Sequence, residues 1–203
     1  METKDWTGNG NSLFKCLGAS NHTDKEREIN DYYATDPVAI DKLLTVFNIP
    51  KDARIWEPCC GEGHLASRLE SKGYKVYASD LIDRGYGEGN IDFMKVEKTV
   101  CSCILTNPPY KYALEMVLHS LDILPKGGLC LMFLKTTFLE GKKRRQRLFD
   151  KYPPKYVLQF SERVLCAKNG RFDDMIAGGG SAVAYAWFVW EKGYTGDTVI
   201  KWI

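Results

Sequence analysis

The sequence lacks the long apolar segments that mark membrane proteins and secreted precursors. No stretch approaches the roughly 18 apolar residues of a membrane-spanning helix. The N-terminal segment METKDWTGNGNS also lacks the apolar run of a signal peptide. We therefore expect a cytoplasmic protein with no membrane partner.

Paired cysteine ligands and an excess of one charge are also missing. The chain has 7 cysteines, an odd number with no C-x-x-C spacing, which argues against a zinc site and a secreted disulfide framework. Lys and Arg number 28 against 26 Asp and Glu, so the formal net charge is only +2. We expect no bound metal, and any nucleic acid must be bound through a local basic patch.

The sequence does contain the balance of one ordinary globular domain. Its 203 residues are 44% hydrophobic and 27% charged. Residues 1–30 are polar without clear periodicity and predict a flexible arm. Residues 31–203 predict a single domain without a separate target-recognition domain. Near its start, Asp36 and Pro37 predict a helix, as N-cap and first-turn proline.

After Pro50, short apolar strands alternate with helices. We predict strands at 54–57, 75–79, 101–106, 129–135 and 156–160, and helices near 63–72, 110–124 and 141–151. This alternation implies an α/β fold whose mostly parallel sheet is covered by helices on both faces. Residues 182–190 and 198–202 flank a segment with Gly193 and Gly196, which predicts a C-terminal antiparallel hairpin.

A glycine turn joins the first of these strands to a helix, through Glu57-Pro58-Cys59-Cys60-Gly61-Glu62-Gly63. Glycines there allow a ligand to approach the backbone near the free N–H groups of a helix N-terminus. Asp80 ends the next strand, 17 residues after Gly63, where an acid can bind both ribose hydroxyls of a nucleoside. Asp92 and Phe93 could bind an adenine through its amino group and ring. Each feature taken alone also fits a turn without a ligand.

The tetrapeptide Asn107-Pro108-Pro109-Tyr110 follows a hydrophobic strand, at the sheet edge where open α/β folds bind ligands. An amino nitrogen on an aromatic ring is a poor nucleophile, because its lone pair is delocalised. The Asn107 side-chain oxygen and the Pro108 carbonyl could accept its two N–H bonds and turn the lone pair toward a sulfonium methyl. Positioning and electrostatics would then carry the rate. Tyr110 would stack on a flipped base, contributing about 1–3 kcal/mol.

In this order, the elements resemble the N6-adenine DNA methylase group of class I S-adenosylmethionine-dependent methyltransferases, most closely the small phage and prophage type. The resemblance covers residues from about 32 to 203. It implies a Rossmann-like fold with a seven-stranded sheet, S-adenosylmethionine as cofactor, and methyl transfer to the N6 amino group of adenine in DNA. It also implies cofactor contacts by Thr35, Glu57, Pro58, Cys59, Gly61, Gly63, Asp80, Asp92 and Phe93, and catalysis by Asn107, Pro108, Pro109 and Tyr110.

Two basic segments are candidates for contacting the polynucleotide. The first is a run of Lys142, Lys143, Arg144, Arg145 and Arg147, which also fits a solvated helix face. The second is Ser161–Ser181, which predicts a long loop that is mobile without DNA. Its candidate contacts are Arg163, Lys168 and Arg171, and its alternative is an exposed insertion without contacts.

Three other functions fit the same motifs. The N-P-P-Y tetrapeptide also occurs in RNA base methylases and in protein glutamine methylases. The glutamine enzymes carry a helical substrate domain before the glycine turn, whereas only about fifty residues precede it here. RNA stays open as a substrate, since the basic run does not distinguish it from DNA. A catalytically silent module that binds nucleic acid or a partner protein is the third alternative.

Overall fold

The computed structural model describes residues 33–168, 172–173 and 183–203. The strands are β1 (Tyr33–Thr35), β2 (Arg54–Glu57), β3 (Lys75–Ala78), β4 (Cys103–Thr106), β5 (Leu129–Lys135), β6 (Tyr156–Gln159), β7 (Cys166–Lys168), β8 (Tyr185–Glu191) and β9 (Val199–Trp202). The helices are α1 (Val38–Val46), α2 (His64–Ser71), α3 (Ala113–Ile123) and α4 (Lys142–Arg144), which continues as a π-helical turn, Arg145–Phe149. Short 3-10 turns span Phe93–Lys95, Tyr110–Tyr112 and Thr136–Leu139.

Seven strands form the main sheet, in the order β3-β2-β4-β5-β8-β6-β9. Strands β3, β2, β4 and β5 are parallel to one another, while β8 runs antiparallel to both of its neighbours, β5 and β6. The five predicted strands and the alternation of strands with helices are confirmed, with shifts of one or two residues at some ends. The prediction of a mostly parallel seven-stranded sheet is also confirmed, and its antiparallel strand is β8.

The pairing of the last two strands differs from the predicted hairpin. Strand β9 pairs in parallel with β6, which lies between β9 and β8. The turn was predicted correctly, and Gly193 does adopt a positive φ of 94°. A turn does not fix the partner of the strand that follows it. Strand β8 is buried over six of its seven residues and fits the sheet interior, whereas β9 is exposed throughout and fits the edge.

Helices cover both faces of the sheet. On one face, α1 and α2 bury Ile40, Leu43 and Leu69 against the strands, and on the other face α3 and the π-helical turn bury Val117 and Leu148. The start of α1 is as predicted, since the Asp36 carboxylate accepts the Val38 backbone N–H at 2.9 Å. No helix among the described residues is long and apolar enough to cross a membrane.

A second, two-stranded sheet was not predicted. Strands β1 and β7 pair antiparallel, with Thr35 opposite Cys166. The segment Ser161–Ser181 was predicted to be a loop throughout, and β7 corrects that prediction for residues 166–168. A three-residue strand has too few positions to show alternation, and its pairing partner lies far away in the sequence. Residues 169–171 and 174–182 lie outside the described residues, so the predicted mobility of this segment stays a prediction.

Candidate active site

A cavity of about 350 Å³ opens at the edge where β2, β3 and β4 end. This is the edge at which parallel α/β sheets bind ligands. Eleven of the predicted site residues line it: Thr35, Glu57, Pro58, Cys59, Asp80, Asp92, Phe93, Asn107, Pro108, Pro109 and Tyr110. The cavity therefore brings together residues that the sequence separates by more than seventy positions. Gly61 and Gly63 are not part of its wall.

The two glycines shape the turn from behind the cavity wall. Gly61 has a φ of 55°, and its N–H donates to the Asp80 carboxylate at 2.8 Å. Gly63 has a φ of 82°, and a Cβ atom there would lie 2.4 Å from the ring of Tyr86. The requirement for glycine at position 63 therefore comes from a contact within the protein, and Tyr86 was not among the sequence candidates.

Asp80 follows β3 in the cavity wall and is held by three donors. Besides the Gly61 N–H, it accepts the Ile82 backbone N–H at 3.0 Å and the Arg84 guanidinium at 3.2 Å. The residue is only 9% exposed, so these bonds compensate for most of the water that its carboxylate has lost. Arg84 also lines the cavity and was not predicted. No sequence pattern singled it out among the other surface arginines.

Glu57 ends β2 and is buried beneath the cavity. Burial raises the pKa of its carboxyl well above the ordinary value of 4.5, the nearby Asp80 charge adds to this rise, and a hydrogen bond from the Ala66 backbone opposes it. Its Oε2 atom is buried and has no hydrogen-bond partner within the described part of the chain. A buried acid with a free oxygen is suited to a cationic or hydrogen-bonding ligand.

Asn107 directly follows β4, and its side-chain amide is fixed by the small second sheet. The Nδ2 atom donates to the Tyr33 carbonyl at 3.0 Å and to the Cys166 sulfur at 3.5 Å. The Oδ1 atom is buried and has no partner among the described residues. Since a carbonyl can only accept, the contact with Tyr33 determines which amide atom faces which side.

Tyr110 begins a 3-10 turn at the same wall. Its ring stacks on Tyr185 at a centroid distance of 6.1 Å, and the Lys135 ammonium lies 4.8 Å from its centroid. The hydroxyl lies 3.4 Å from the Cys166 sulfur. Burial raises the pKa of Tyr110 well above its ordinary value, so the phenol stays neutral at physiological pH.

Three further predicted residues complete the wall. The Thr35 hydroxyl is buried and interacts with the Cys166 thiol, but among the described residues it makes no hydrogen bond of ordinary geometry. Asp92 accepts the Met94 backbone N–H at 3.1 Å and pairs with the Lys95 ammonium at 3.2 Å. Phe93 is 4% exposed and packs edge-on against Trp56 at 5.1 Å, so its ring belongs to the core as well as to the cavity.

The basic run lies beyond the end of β5, at the same sheet edge as the cavity but outside its wall. Lys143 and Arg147 both pair with Glu115, at 3.9 and 3.1 Å. Arg145 pairs with Asp150 at 3.3 Å. Much of the positive charge is therefore compensated locally.

The remaining predicted basic contacts differ in environment. The Arg144 guanidinium lies over the Phe138 ring at 5.1 Å and donates to the Thr137 carbonyl. Lys142 and Arg163 are exposed. Only the backbone of Lys168 is described, as part of β7, and Arg171 lies outside the described residues. Across the described ranges, no group of three or more His, Cys, Asp or Glu residues could hold a metal ion.

No profile of a known protein family matches the sequence, and no curated protein matches it. Solved structures do. A type I restriction-modification methyltransferase subunit from Streptococcus thermophilus matches with a TM-score of 0.58 at 14% identity, over 83% of this chain and 47% of that subunit. A Lactococcus lactis protein provisionally named a hemolysin matches with a TM-score of 0.57 at 12% identity, over 82% of this chain and 91% of that chain.

A third match is the 1,6-didemethyltoxoflavin-N1-methyltransferase of Burkholderia thailandensis, solved with S-adenosylhomocysteine. Its TM-score is 0.51 at 9% identity, over 77% of this chain and 76% of that chain. Together with the strand order, these matches confirm the predicted fold class: the chain has the Rossmann-like fold of class I methyltransferases. These three proteins have different names but share one fold, so the fold alone does not identify a substrate.

Proposed function

We propose that this chain transfers a methyl group from S-adenosylmethionine to the exocyclic N6 amino group of adenine in DNA. The observation that carries the proposal is that Asn107 lines the cavity beside two prolines, and that its buried Oδ1 atom has no hydrogen-bond partner among the described residues. A buried acceptor that makes no hydrogen bond lowers the stability of the fold unless a ligand supplies a donor. A substrate amino group is such a donor.

The cavity suits this cofactor in size and in polar groups. Small-molecule sites span about 300–1,000 Å³, and this cavity lies within that range. Thr35 and Glu57 would hold the methionine end, where the ammonium group would give the buried Glu57 carboxylate an opposite charge. Asp80 would accept the ribose hydroxyls, and Asp92 and Phe93 would border the adenine. When bound, the cofactor supplies an electrophilic methyl group on a positively charged sulfur.

The tetrapeptide would make the substrate nitrogen more nucleophilic. Asn107 Oδ1 and the Pro108 carbonyl would each accept one N–H of the amino group, which favours a pyramidal nitrogen with its lone pair directed at the methyl carbon. Because the Asn107 amide already donates to Tyr33 and Cys166, its oxygen is oriented before the substrate binds. Such preorganised contacts are typically worth a factor of about 10² to 10³ in rate.

The proton balance requires no strongly basic side chain. Transfer to the substrate nitrogen would leave the electrons of the broken carbon–sulfur bond on sulfur, and the positively charged nitrogen would lose one proton to water. Asn107 and Pro108 would stabilise that developing charge as acceptors, so the reaction would depend on orientation and electrostatics.

Support for a nucleic acid substrate comes from the basic run, whereas Tyr110 would have to rearrange to stack on a base. A base stacking on Tyr110 needs a ring face free of both Tyr185 and Lys135, so the flexible Lys135 side chain would move aside. The exposed Lys142 lies beyond β5, at the sheet edge on which the cavity opens, and would contact phosphate. The fold shared with a restriction-modification methyltransferase subunit is consistent with DNA.

The direct test is transfer of isotope-labelled methyl groups to adenine-containing DNA by the purified protein. We expect transfer by the wild type and a loss of about 100-fold or more in Asn107→Ala. Binding of S-adenosylhomocysteine should be nearly unchanged in the variant, because Asn107 would contact the substrate. A matched control is Asn48→Ala, which removes an exposed asparagine outside the cavity wall.

Two outcomes would contradict the proposal. Transfer to RNA or to a glutamine-containing peptide in place of DNA would keep the chemistry and change the substrate. Cofactor binding without transfer to any of these acceptors would favour the silent binding module.

A further inference from the structure

Two residues of the tetrapeptide contact the same buried thiol. Asn107 Nδ2 donates to the Cys166 sulfur at 3.5 Å, and the Tyr110 hydroxyl lies 3.4 Å from that sulfur. Cys166 is 4% exposed and belongs to β7, outside the seven-stranded sheet. The tetrapeptide follows β4 of the main sheet, so the contact joins two separate sheets.

The small sheet supplies acceptors for both donors of the Asn107 amide. Strand β1 provides the Tyr33 carbonyl, and β7 provides the Cys166 sulfur. The antiparallel pairing of β1 with β7 fixes these two acceptors relative to one another. An amide that donates through both N–H bonds cannot rotate without losing both, so its oxygen keeps one direction.

We propose that Cys166 is a positioning residue for methyl transfer, whose thiol orients the Asn107 amide and the Tyr110 phenol toward the substrate amino group. This inference rests on the proposed function and adds to it a residue that lies outside the tetrapeptide. The alternative is that Cys166 only fills space in the core, as buried free cysteines often do.

The chemistry of the thiol fits the positioning role. Burial raises the pKa of Cys166, and its hydrogen bonds to neighbouring side chains only partly oppose that rise. A neutral thiol accepts a hydrogen bond from Asn107 and can donate or accept with the Tyr110 hydroxyl. It places no charge beside the reacting nitrogen.

Steady-state kinetics of three variants test the inference. Cys166→Ala removes both contacts, and we expect kcat to fall about tenfold while KM for the cofactor is little changed. Cys166→Ser should recover most of the loss, because a hydroxyl can make the same hydrogen bonds. Cys103→Ala is the matched control, since Cys103 is also buried in the same core cluster and, among the described residues, its thiol makes no hydrogen bond to the tetrapeptide. Thermal unfolding shows whether each variant is folded.

A readout independent of catalysis separates this inference from the proposed function. In protein labelled with ¹⁵N-asparagine, the Asn107 side-chain amide signal is assigned by its absence in Asn107→Ala. We expect that signal to shift and to exchange faster with solvent in Cys166→Ala, and to stay in place in Cys103→Ala.

The possible results are distinguishable. If the wild type transfers no methyl group, the proposed function fails, and the amide signal alone then decides whether Cys166 orients Asn107. Wild-type kcat together with an unchanged amide signal in Cys166→Ala would overturn the inference. An equal loss of kcat in Cys166→Ala and Cys103→Ala would do the same, since it would reduce Cys166 to a core residue.

Discussion

The segment that follows β3 differs from the ends of β2 and β4 in how its polar groups are satisfied. After β3, Asp80 accepts three hydrogen bonds from the protein itself. At the ends of β2 and β4, Glu57 Oε2 and Asn107 Oδ1 are buried and have no hydrogen-bond partner among the described residues. The segment after β3 holds its shape through internal bonds, whereas the ends of β2 and β4 carry the desolvation cost of polar groups without a partner. We infer that binding energy and reactivity are concentrated at the ends of β2 and β4.

The largest expected effect is on the packing of the segment after β3 against the glycine turn. Gly63→Ala places a Cβ against Tyr86 and strains a positive φ, which together should lower the free energy of unfolding by about 3 kcal/mol. Gly73→Ala is a matched control, because its φ is +81° but nothing lies within 4 Å of the added atom, so only about 1 kcal/mol should be lost. Urea unfolding measures both. Equal losses in the two variants would show that the Tyr86 contact does not shape the turn.

The order of the strands, helices and motifs around the cavity could be predicted from the sequence. Some of the contacts that position them could not. Apolar runs and helix periodicity placed β2, α2 and β4 around the glycine turn and the tetrapeptide, since these signals are local. The packing of Tyr86 against Gly63 joins two separate segments and therefore gives no local signal in the sequence. The orientation of Asn107 depends on pairing between Thr35 and Cys166, which only the folded chain creates.

A second prediction tests whether Asp80 has acceptor capacity left for a ribose. In Asp80→Asn, one carboxylate oxygen becomes a donor facing Gly61 or Arg84, and S-adenosylhomocysteine affinity should fall about 10- to 100-fold. Titration calorimetry measures the change. Asp83→Asn serves as the control, because Asp83 is exposed and lies outside the cavity wall. Unchanged affinity in Asp80→Asn would remove the ribose role from this carboxylate.

The third prediction concerns the pH dependence of stability, which Glu57 at the end of β2 should influence. The folded-state pKa of Glu57 is raised, so its contribution to stability is complete below the ordinary value of 4.5 and is lost as pH rises through the raised pKa. Glu57→Gln should therefore be relatively more stable than the wild type as pH increases without ligand. It should also weaken cofactor binding, because the ammonium group loses its counter-charge.

Urea unfolding across pH 5 to 8 measures this stability difference, with and without S-adenosylhomocysteine. Glu97→Gln, an exposed position outside the cavity wall, should show no such trend. A pH-independent difference between wild type and Glu57→Gln would contradict the assignment.

The smallest effect is expected outside the cavity wall, at the basic run. Lys142→Gln should weaken DNA binding uniformly across sequences and reduce the salt dependence of log K by about 1. Lys98→Gln is the control, because Lys98 is exposed but precedes β4 and so lies toward the opposite sheet edge. Fluorescence anisotropy at several salt concentrations measures both. Equal slopes in wild type and Lys142→Gln would mean that the run is only a solvated surface.

The central claim is that the Asn107 side-chain oxygen accepts a hydrogen bond from an adenine amino group. The most direct measurement is mass spectrometry of nucleosides from DNA of a bacterial host that lacks adenine methylation of its own and expresses this chain. The account predicts N6-methyldeoxyadenosine with the wild type and none with Asn107→Ala. DNA without that nucleoside, or equal amounts with both proteins, would contradict it.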